Sequence, residues 1–199
     1  MCSSDLHNME YLDIDPNSID LVVVSQSNPC DSGALNGLLK SRENPIDVYC
    51  PKDLYGKKSF ASRSVGLAEA QKDKAIFHDI GVWTEVAPGV HITPFYYDAK
   101  GYGETFLVID KGSKLILMSG RCSCYPDKVI ADVTEHFGRR PTAFIGPVLL
   151  EKKKKPVAQA YAEMLSQIPE LYINHCVGPD GMVKLRTHLG LAGINDFYV

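Results

Sequence analysis

The sequence predicts a layered α/β fold in which helices flank β-sheets, an αββα arrangement. Segments of strand character alternate with segments of helical periodicity over most of the 199 residues. Such alternation is typical of layered α/β architectures. The chain has no internal repeat and no linker that would divide it, and its length suits one sizeable core. We therefore predict a single domain over residues 1–199.

The first half contains a buried strand followed by a helix. Apolar residues run from Leu21 to Val24, as expected of a strand covered on both faces. The predicted segments are strand 21–25, helix 32–41, strand 46–49, a short helix beginning at Pro51 and a polar, basic loop over 56–74. Strands at 82–86, 90–94, 105–110 and 114–119 follow. Asp110, Lys111 and Gly112 predict a hairpin turn between the last two.

The second half alternates helices with strands more regularly. The predicted segments are helix 126–137 ended by Gly138, strand 142–146, a helix ended by Pro169, strand 171–174, helix 179–189 and a closing strand 196–199. The helix before Pro169 is expected to bury four side chains that share one face, namely Val157, Tyr161, Leu165 and Ile168.

Composition excludes several classes of function. Hydrophobic residues make up 45% and charged residues 23% of the chain, an ordinary globular balance. A net charge of −3 offers no positive field for nucleic acid or an anionic membrane. No apolar run is long enough to span a bilayer, and the first residues lack a signal-peptide pattern. With six scattered cysteines, we predict a cytoplasmic protein with reduced thiols.

The segment SQSNPCDSGAL, residues 25–35, follows the first buried strand and opens a helix. It resembles the loop of the metallo-β-lactamase superfamily, which carries a His-x-His-x-Asp-His motif at this place. In this sequence the four ligand positions read Gln26, Asn28, Cys30 and Asp31. The frame of the loop is retained, whereas most of its metal ligands are exchanged.

Further blocks resemble one branch of that superfamily, the dihydropterin phosphate synthase-like metallohydrolases. They are PGVHIT at 88–93, ETFLVI at 104–109, SGRCSC at 119–124, IGPVLL at 145–150 and NHCVG at 174–178. The family patterns are Pro-Gly-Val, Glu-x-x-Leu-Val, Thr-Gly-Cys-Ser-His, Ile-Gly-Gly-Phe-His-Leu and Thr-His-Cys-Thr-Gly. The likeness runs in register from Leu6 onward and implies a metallo-β-lactamase-like sandwich.

The resemblance implies two metal sites, and this sequence departs from both. The first site would consist of Gln26, Asn28 and Cys124, and neutral amides are poor zinc ligands. The second would consist of Cys30, Asp31 and His175, an acceptable three-ligand zinc set with Cys124 as a fourth candidate. We therefore expect no cofactor, or at most one zinc ion.

Packing roles compete with metal binding at the same residues. Cys30 would be a small buried hydrophobe, Asp31 an N-cap for the following helix, and His175 a hydrogen-bond donor to a nearby carbonyl. The close pair Cys122 and Cys124 favours a structural role over a redox one.

Other features predict contact with a small ligand. The lysines at 152–155 could steer a phosphate-bearing molecule, or form a solvated surface. Tyr96, Tyr97 and Tyr102 could cover a pocket, although adjacent tyrosines on a strand end are more often one core and one surface residue. Turns at Gly33 and Gly178 could present backbone N–H groups to an anion.

Two hypotheses of function follow. In the first, the chain is a degenerate metallo-β-lactamase-fold protein that has lost two-metal hydrolysis and binds a phosphate-bearing or pterin-like small molecule. In the second, it is a mononuclear zinc hydrolase using Cys30, Asp31 and His175. The family begins with strands that this sequence lacks before Leu6, so we expect residues 21–24 near a sheet edge. An exposed apolar edge predicts either a homodimer that pairs across it or poor solubility.

Overall fold

The computed structural model describes residues 4–26, 28–51, 54, 69–97, 103–122, 126–150, 155–173, 177–189 and 194–196. The chain comprises two compact units, Met1–Gly81 and Val82–Val199. Each unit has its own sheet and its own cluster of buried side chains. The single domain over 1–199 stays a prediction.

Where the structure describes unit 1, its sheet consists of three parallel strands. Its elements are α1 (Ser4–Tyr11), a 3-10 helix (Pro16–Ser18), β1 (Leu21–Val23), α2 (Pro29–Ser32), α3 (Leu35–Ser41), β2 (Ile46–Cys50), a second 3-10 helix (Glu69–Lys74) and β3 (Ala75–Asp79). The strand order is β1-β2-β3, and both pairs are parallel. Among the strands that the structure describes, β1 therefore lies at the sheet edge, as the sequence predicted.

The core of unit 1 follows from the alternation of side chains along β2. Ile46, Val48 and Cys50 are buried, and they pack in one cluster with Leu35 and Leu39 of α3. This is the period of two that a strand imposes on its side chains. The buried residues of α3 are three or four positions apart, which places them on one helical face.

The described part of unit 2 contains a mixed sheet of seven strands and three helices. Its elements are β4 (Thr84–Ala87), β5 (Val90–Ile92), β6 (Tyr96–Tyr97), β7 (Gly103–Glu104), β8 (Leu107–Lys111), β9 (Lys114–Met118), α4 (Pro126–Phe137), β10 (Ala143–Ile145), α5 (Lys155–Leu165), β11 (Glu170–Ile173), α6 (Pro179–Leu189) and β12 (Ile194–Asp196). The strand order is β12-β11-β10-β9-β8-β5-β4. Strands β9 to β12 are parallel, and β4, β5, β8 and β9 pair antiparallel in that order. β6 and β7 form a separate antiparallel pair.

Local sequence accounts for the best-predicted elements of unit 2. The β8–β9 hairpin turns at Gly112, whose φ of +67° is a conformation that favours glycine. α4 spans the predicted residues and is followed by Gly138 at φ +66°, a common end for a helix. α6 also has the predicted bounds. No helix among the described residues is long and apolar enough to cross a membrane.

Four local predictions differ from the structure. The helix predicted over 32–41 is two helices, α2 and α3, separated by a turn at residues 33–34. The predicted loop 56–74 ends in the 3-10 helix Glu69–Lys74, and β3 was not predicted. Residues 56–68 lie outside the described residues, as does most of the short helix predicted from Pro51. β12 includes Ile194 and Asn195, two residues before the predicted start at 196, and residues 197–199 of the predicted closing strand lie outside the described residues.

The predicted face of α5 is confirmed in its second half and wrong at its start. Leu165 and Ile168 are buried and Tyr161 packs against the core cluster, as predicted, whereas Val157 is 38% exposed. Ala158 and Ala162 are fully buried instead, each one position after a predicted core residue. α5 packs against α6, and small residues on a buried helical face allow neighbouring helices to approach closely.

Candidate functional site

The loop that follows β1 is held by backbone hydrogen bonds at its helical end. The carbonyl oxygen of Asn28 accepts from the amides of Asp31 and Ser32, both at 2.9 Å, and from Ser32 Oγ at 3.0 Å. Pro29 occupies the first position of α2, where its missing N–H costs no hydrogen bond. Gln26 and Asn28 therefore both precede a single turn of helix.

Gln26 is a buried polar residue, with 5% of its surface exposed, and Asn28 is half-buried. Both engage neighbouring groups. An amide side chain is neutral, so it brings no charge to a cation. These side chains fit poorly as ligands of a first metal ion.

Asp31 lies within α2 rather than before a helix, so its predicted role as an N-cap was wrong. α2 begins two residues earlier, and the cap position of α3 is Ala34, which makes no side-chain capping bond. Asp31 instead lines a cleft of about 160 Å³ in unit 1. The rest of the lining is apolar, from Met9, Val22, Val23, Val24, Ala34, Leu35 and Leu38.

Of the second proposed metal site, the structure describes the side chain of Asp31 alone. The backbone of Cys30 lies in α2, while its side chain, Cys124 and His175 lie outside the described residues. The convergence of these ligands stays a prediction. Within the part of the chain that is described, no three His, Cys, Asp or Glu side chains form a group that could hold a metal ion.

In unit 2, the residues that follow β9 and β10 are tied to each other. Ser119 Oγ donates to the carbonyl of Pro147 at 2.8 Å, and the Ser119 amide donates to the carbonyl of Ile145 at 3.0 Å. Gly146 has a φ of +131° and packs against Ser119 so closely that a Cβ would lie 2.3 Å from its carbonyl oxygen. The carboxyl ends of adjacent parallel strands commonly form ligand sites, and here two of them form a closely packed edge.

Glu104 is a buried carboxylate that the sequence marked only as the first residue of the Glu-x-x-Leu-Val block, with no role assigned to it. Its side chain is fully buried, and Oε1 accepts from the amides of Arg121 at 2.9 Å and Cys122 at 2.8 Å. Such burial is rare for a glutamate unless it is well hydrogen-bonded. The block by itself does not indicate whether its glutamate is buried or exposed.

Tyr96 is buried, Tyr97 is 63% exposed, and Tyr96 contacts Phe106 edge-on. This pair is therefore one core and one surface residue.

Tyr102 and the lysines at 152–154 lie outside the described residues, and nothing is described of the Lys155 side chain. Cys122 is a buried thiol. Gly178 has a φ of +73°, so this position does form a turn before α6.

Comparison with known proteins identifies the fold. No protein-family model and no curated protein matches the sequence. Among solved structures, the metal-dependent hydrolase Tm1679 of the β-lactamase superfamily matches with a TM-score of 0.74 and 18% identity, over 97% of this chain and 81% of that one. The metallo-β-lactamase fold protein YhfI from Bacillus subtilis matches with a TM-score of 0.65 and 12% identity, over 99% and 82% of the two chains.

The chain has the metallo-β-lactamase fold. This confirms the α/β fold class that the sequence predicted. A third match, a variant of the CmlA β-hydroxylase, has a TM-score of 0.55 and 14% identity over 94% of this chain and 44% of that chain. At such identities the likeness establishes the architecture, and one architecture supports many chemistries. The function of this metallo-β-lactamase fold therefore has to be argued from its own residues.

Proposed function

We propose that this chain is a metallo-β-lactamase-fold protein that has lost two-metal hydrolysis and binds a small phosphate-bearing or pterin-like ligand. The observation that carries the proposal is the pair of amides, Gln26 and Asn28, at two positions where the superfamily motif has histidines. Two-metal hydrolysis requires both ions to be held with open positions for water and substrate. The first of the two implied sites would be built from two neutral amides and Cys124. It therefore has one ionisable ligand, too few to hold its metal ion beside the ion of the other site.

The partners that we propose follow from the same features. The ligand class rests on the resemblance to the dihydropterin branch, supported by the basic run at 152–155. The net charge of −3 supports neither a nucleic-acid nor a membrane partner. A cytoplasmic location, with reduced cysteines, completes the proposal.

Metal analysis tests the loss of the two-metal centre. Protein purified without chelator and then dialysed against zinc should retain at most about one equivalent per chain, because only one ligand set has the required donors. Inductively coupled plasma mass spectrometry measures this directly. Retention of two equivalents of zinc or iron would refute the proposal. Restoring histidine at Gln26 and Asn28 together provides the matched gain-of-ligand control, in which zinc content should rise.

A mononuclear zinc enzyme is the second candidate, because Cys30, Asp31 and His175 are suitable zinc donors by type. A zinc ion held there would lower the pKa of a bound water and polarise the bond to be cleaved. Asp31, beside the apolar cleft of unit 1, is the ligand whose surroundings the structure describes. Its carboxylate would be held on the first turn of α2.

Removal of the ligand side chains tests this second candidate. Cys30→Ala and His175→Ala should each reduce zinc retention from about one equivalent to near zero, because two remaining protein ligands seldom hold zinc. Cys50→Ala is the control, since Cys50 is a buried thiol in the core of unit 1. Unchanged zinc content in both ligand variants would exclude a zinc site at these residues.

A further inference from the structure

We propose that the apolar cleft of unit 1 binds a small organic cation, namely a primary amine whose body is a single ring or a branched hydrocarbon, and that Asp31 pairs with its ammonium group. The inference goes beyond the proposed function, because it concerns unit 1 alone and a ligand of the opposite charge to phosphate. It uses Asp31 without a metal ion, so zinc at Asp31 would compete with the amine.

The first observation is the size and chemistry of the cleft. Its volume of about 160 Å³ is close to that of cavities that hold one benzene ring, about 150 Å³. The lining that the structure describes consists of aliphatic side chains, a methionine and one carboxylate. Apolar walls with few polar groups are typical of small-molecule sites, in which the polar groups fix the orientation of the ligand. A one-ring or branched hydrocarbon body therefore suits these walls.

The second observation is that Asp31 is the one charged residue in the described lining. An aspartate carboxylate is negative at neutral pH, and beside apolar walls it attracts a cation more strongly than it would in open water. Asp31 already engages a neighbouring group. A carboxylate has about four acceptor positions, so it can accept a further donor from a ligand. Charge complementarity therefore selects an ammonium group over a neutral or anionic one.

The third observation is that hydrogen bonds hold two of the segments that line the cleft. The Asp31 amide donates to the carbonyl of Asn28 at 2.9 Å, which fixes the turn that carries the carboxylate. Met9 lies in the last turn of α1, and its carbonyl accepts from the Ile14 amide at 2.8 Å. Arg42 holds the chain after α1 by donating to backbone carbonyls there. A site that is formed before its ligand binds avoids the cost of ordering.

The test follows the methyl groups of the lining residues by NMR while benzylamine is added. EDTA is present throughout, so that no metal ion occupies Asp31. The methyl resonances of Val22, Leu35 and Leu38 should shift, because the ring of the probe would lie against them. We expect a dissociation constant of about 1 mM for wild-type protein, as is usual for a ligand of this size.

Two further probes match benzylamine in size and differ in charge. Benzyl alcohol is neutral and should bind wild-type protein about tenfold more weakly, because it lacks the charge-assisted hydrogen bond to Asp31. Benzoate is an anion, and it should not bind beside a carboxylate. The order of affinity among the three probes therefore reports the charge of the site without any substitution.

Two variants and one control separate the charge from the space. Asp31→Asn keeps the size of the side chain and removes its charge, so benzylamine should bind about tenfold more weakly, with the affinity of benzyl alcohol. Ala34→Leu places a larger side chain in the cleft and should abolish binding of both probes. Asp20→Asn is the matched control, since it removes the same charge from an exposed residue of unit 1 outside the described lining. Its affinities should equal those of the wild type.

Three results would overturn the proposal: lining methyl groups that do not respond to benzylamine, equal wild-type affinities for benzylamine and benzyl alcohol, or an unchanged preference for benzylamine in Asp31→Asn. Shifts that appear on raising the protein concentration alone, and that block benzylamine, would place a second copy in the cleft and also overturn it. If Asp31→Asn fails to fold, the wild-type order of the three probes decides the role of the charge. None of these outcomes depends on zinc content, so the metal analysis tests the proposed function separately.

Discussion

At the scale of single residues, Gly146 is the described glycine that has the least room for a side chain. Its φ of +131° and the 2.3 Å separation between a built Cβ and the Ser119 carbonyl oxygen both exclude larger residues. We expect Gly146→Ala to lower the free energy of unfolding by about 3 kcal/mol or more, as strain and collision add. Urea denaturation measures the change.

Gly138→Ala is the control for Gly146→Ala. Gly138 also has a positive φ, +66°, but nothing lies within 4 Å of a Cβ built on it. Strain alone should cost about 1–2 kcal/mol there. Equal losses in the two variants would show that the contact with Ser119 contributes nothing.

Residue identity alone revealed part of the candidate site. The amides at Gln26 and Asn28 could be recognised from the sequence, because ligand chemistry depends on the side-chain type. Glu104 could not, because a carboxylate's role depends on which amides it meets, and Arg121 is 17 positions away along the chain. Asp31 was mistaken for a cap because the turn of helix that contains it is only four residues long.

At the scale of elements, an ion pair joins the β8–β9 hairpin to the end of α4. Arg139 Nη2 donates to Asp110 Oδ1, and the same oxygen accepts from the Gly112 amide at 2.8 Å. The Gly112 hydrogen bond, followed by Arg139, holds the pKa of Asp110 below its ordinary value. The turn therefore favours the charged carboxylate in the folded protein.

Acid should weaken this connection. A carboxyl group whose pKa is lower in the folded protein contributes stability above its unfolded pKa, near 3.9, and loses it as pH falls through the folded value. We expect wild-type stability to fall below about pH 4, and Asp110→Asn to show a shallower decline because the titrating group is gone.

Urea unfolding at a series of acidic pH values measures this decline. Asp73→Asn, at an exposed aspartate of unit 1, is the control and should keep the wild-type slope. An identical slope in Asp110→Asn would contradict the role of this carboxyl group. The pair is partly solvent-exposed, so salt should reduce the difference.

Elements were predicted well where local sequence decides them. α4, α6 and the β8–β9 hairpin have strong periodicity or turn chemistry. β3 was missed because Ala75–Asp79 follows a polar, basic stretch and its burial does not alternate cleanly. Its strand conformation comes from parallel pairing with β2, a contact between residues 29 positions apart.

At the scale of the whole molecule, the edge strand β1 leads to the proposed homodimer. The Val24 amide donates to the Tyr49 carbonyl at 2.9 Å. The backbone N–H and C=O groups of the alternate residues Val22 and Val24 therefore point toward β2. The backbone groups of Leu21 and Val23 then point to the opposite edge. Among the described strands, none pairs with this edge of β1, and an open edge of apolar residues is a template for pairing with a second copy.

Proline at alternate positions tests this proposal. Val23→Pro removes a donor from the open edge and should weaken dimerisation at least about tenfold while unit 1 stays folded. Val22→Pro removes a hydrogen bond to β2 and should destabilise unit 1 by about 3 kcal/mol. Sedimentation velocity and circular dichroism separate the two effects. A wild-type protein that sediments as a monomer at all concentrations would contradict the dimer.

The sequence by itself determined the α/β class, the main helices and turns, and the amide side chains at positions 26 and 28 of the loop after β1. These features depend on periodicity, turn residues and side-chain chemistry, all of which are local. Only the tertiary structure decided that β3 pairs with β2, that α5 buries its alanines, and that Glu104 meets the amides of residues 121 and 122. Those outcomes depend on contacts between residues that are far apart in the sequence. Such contacts form, and stabilise the protein, only when the chain folds.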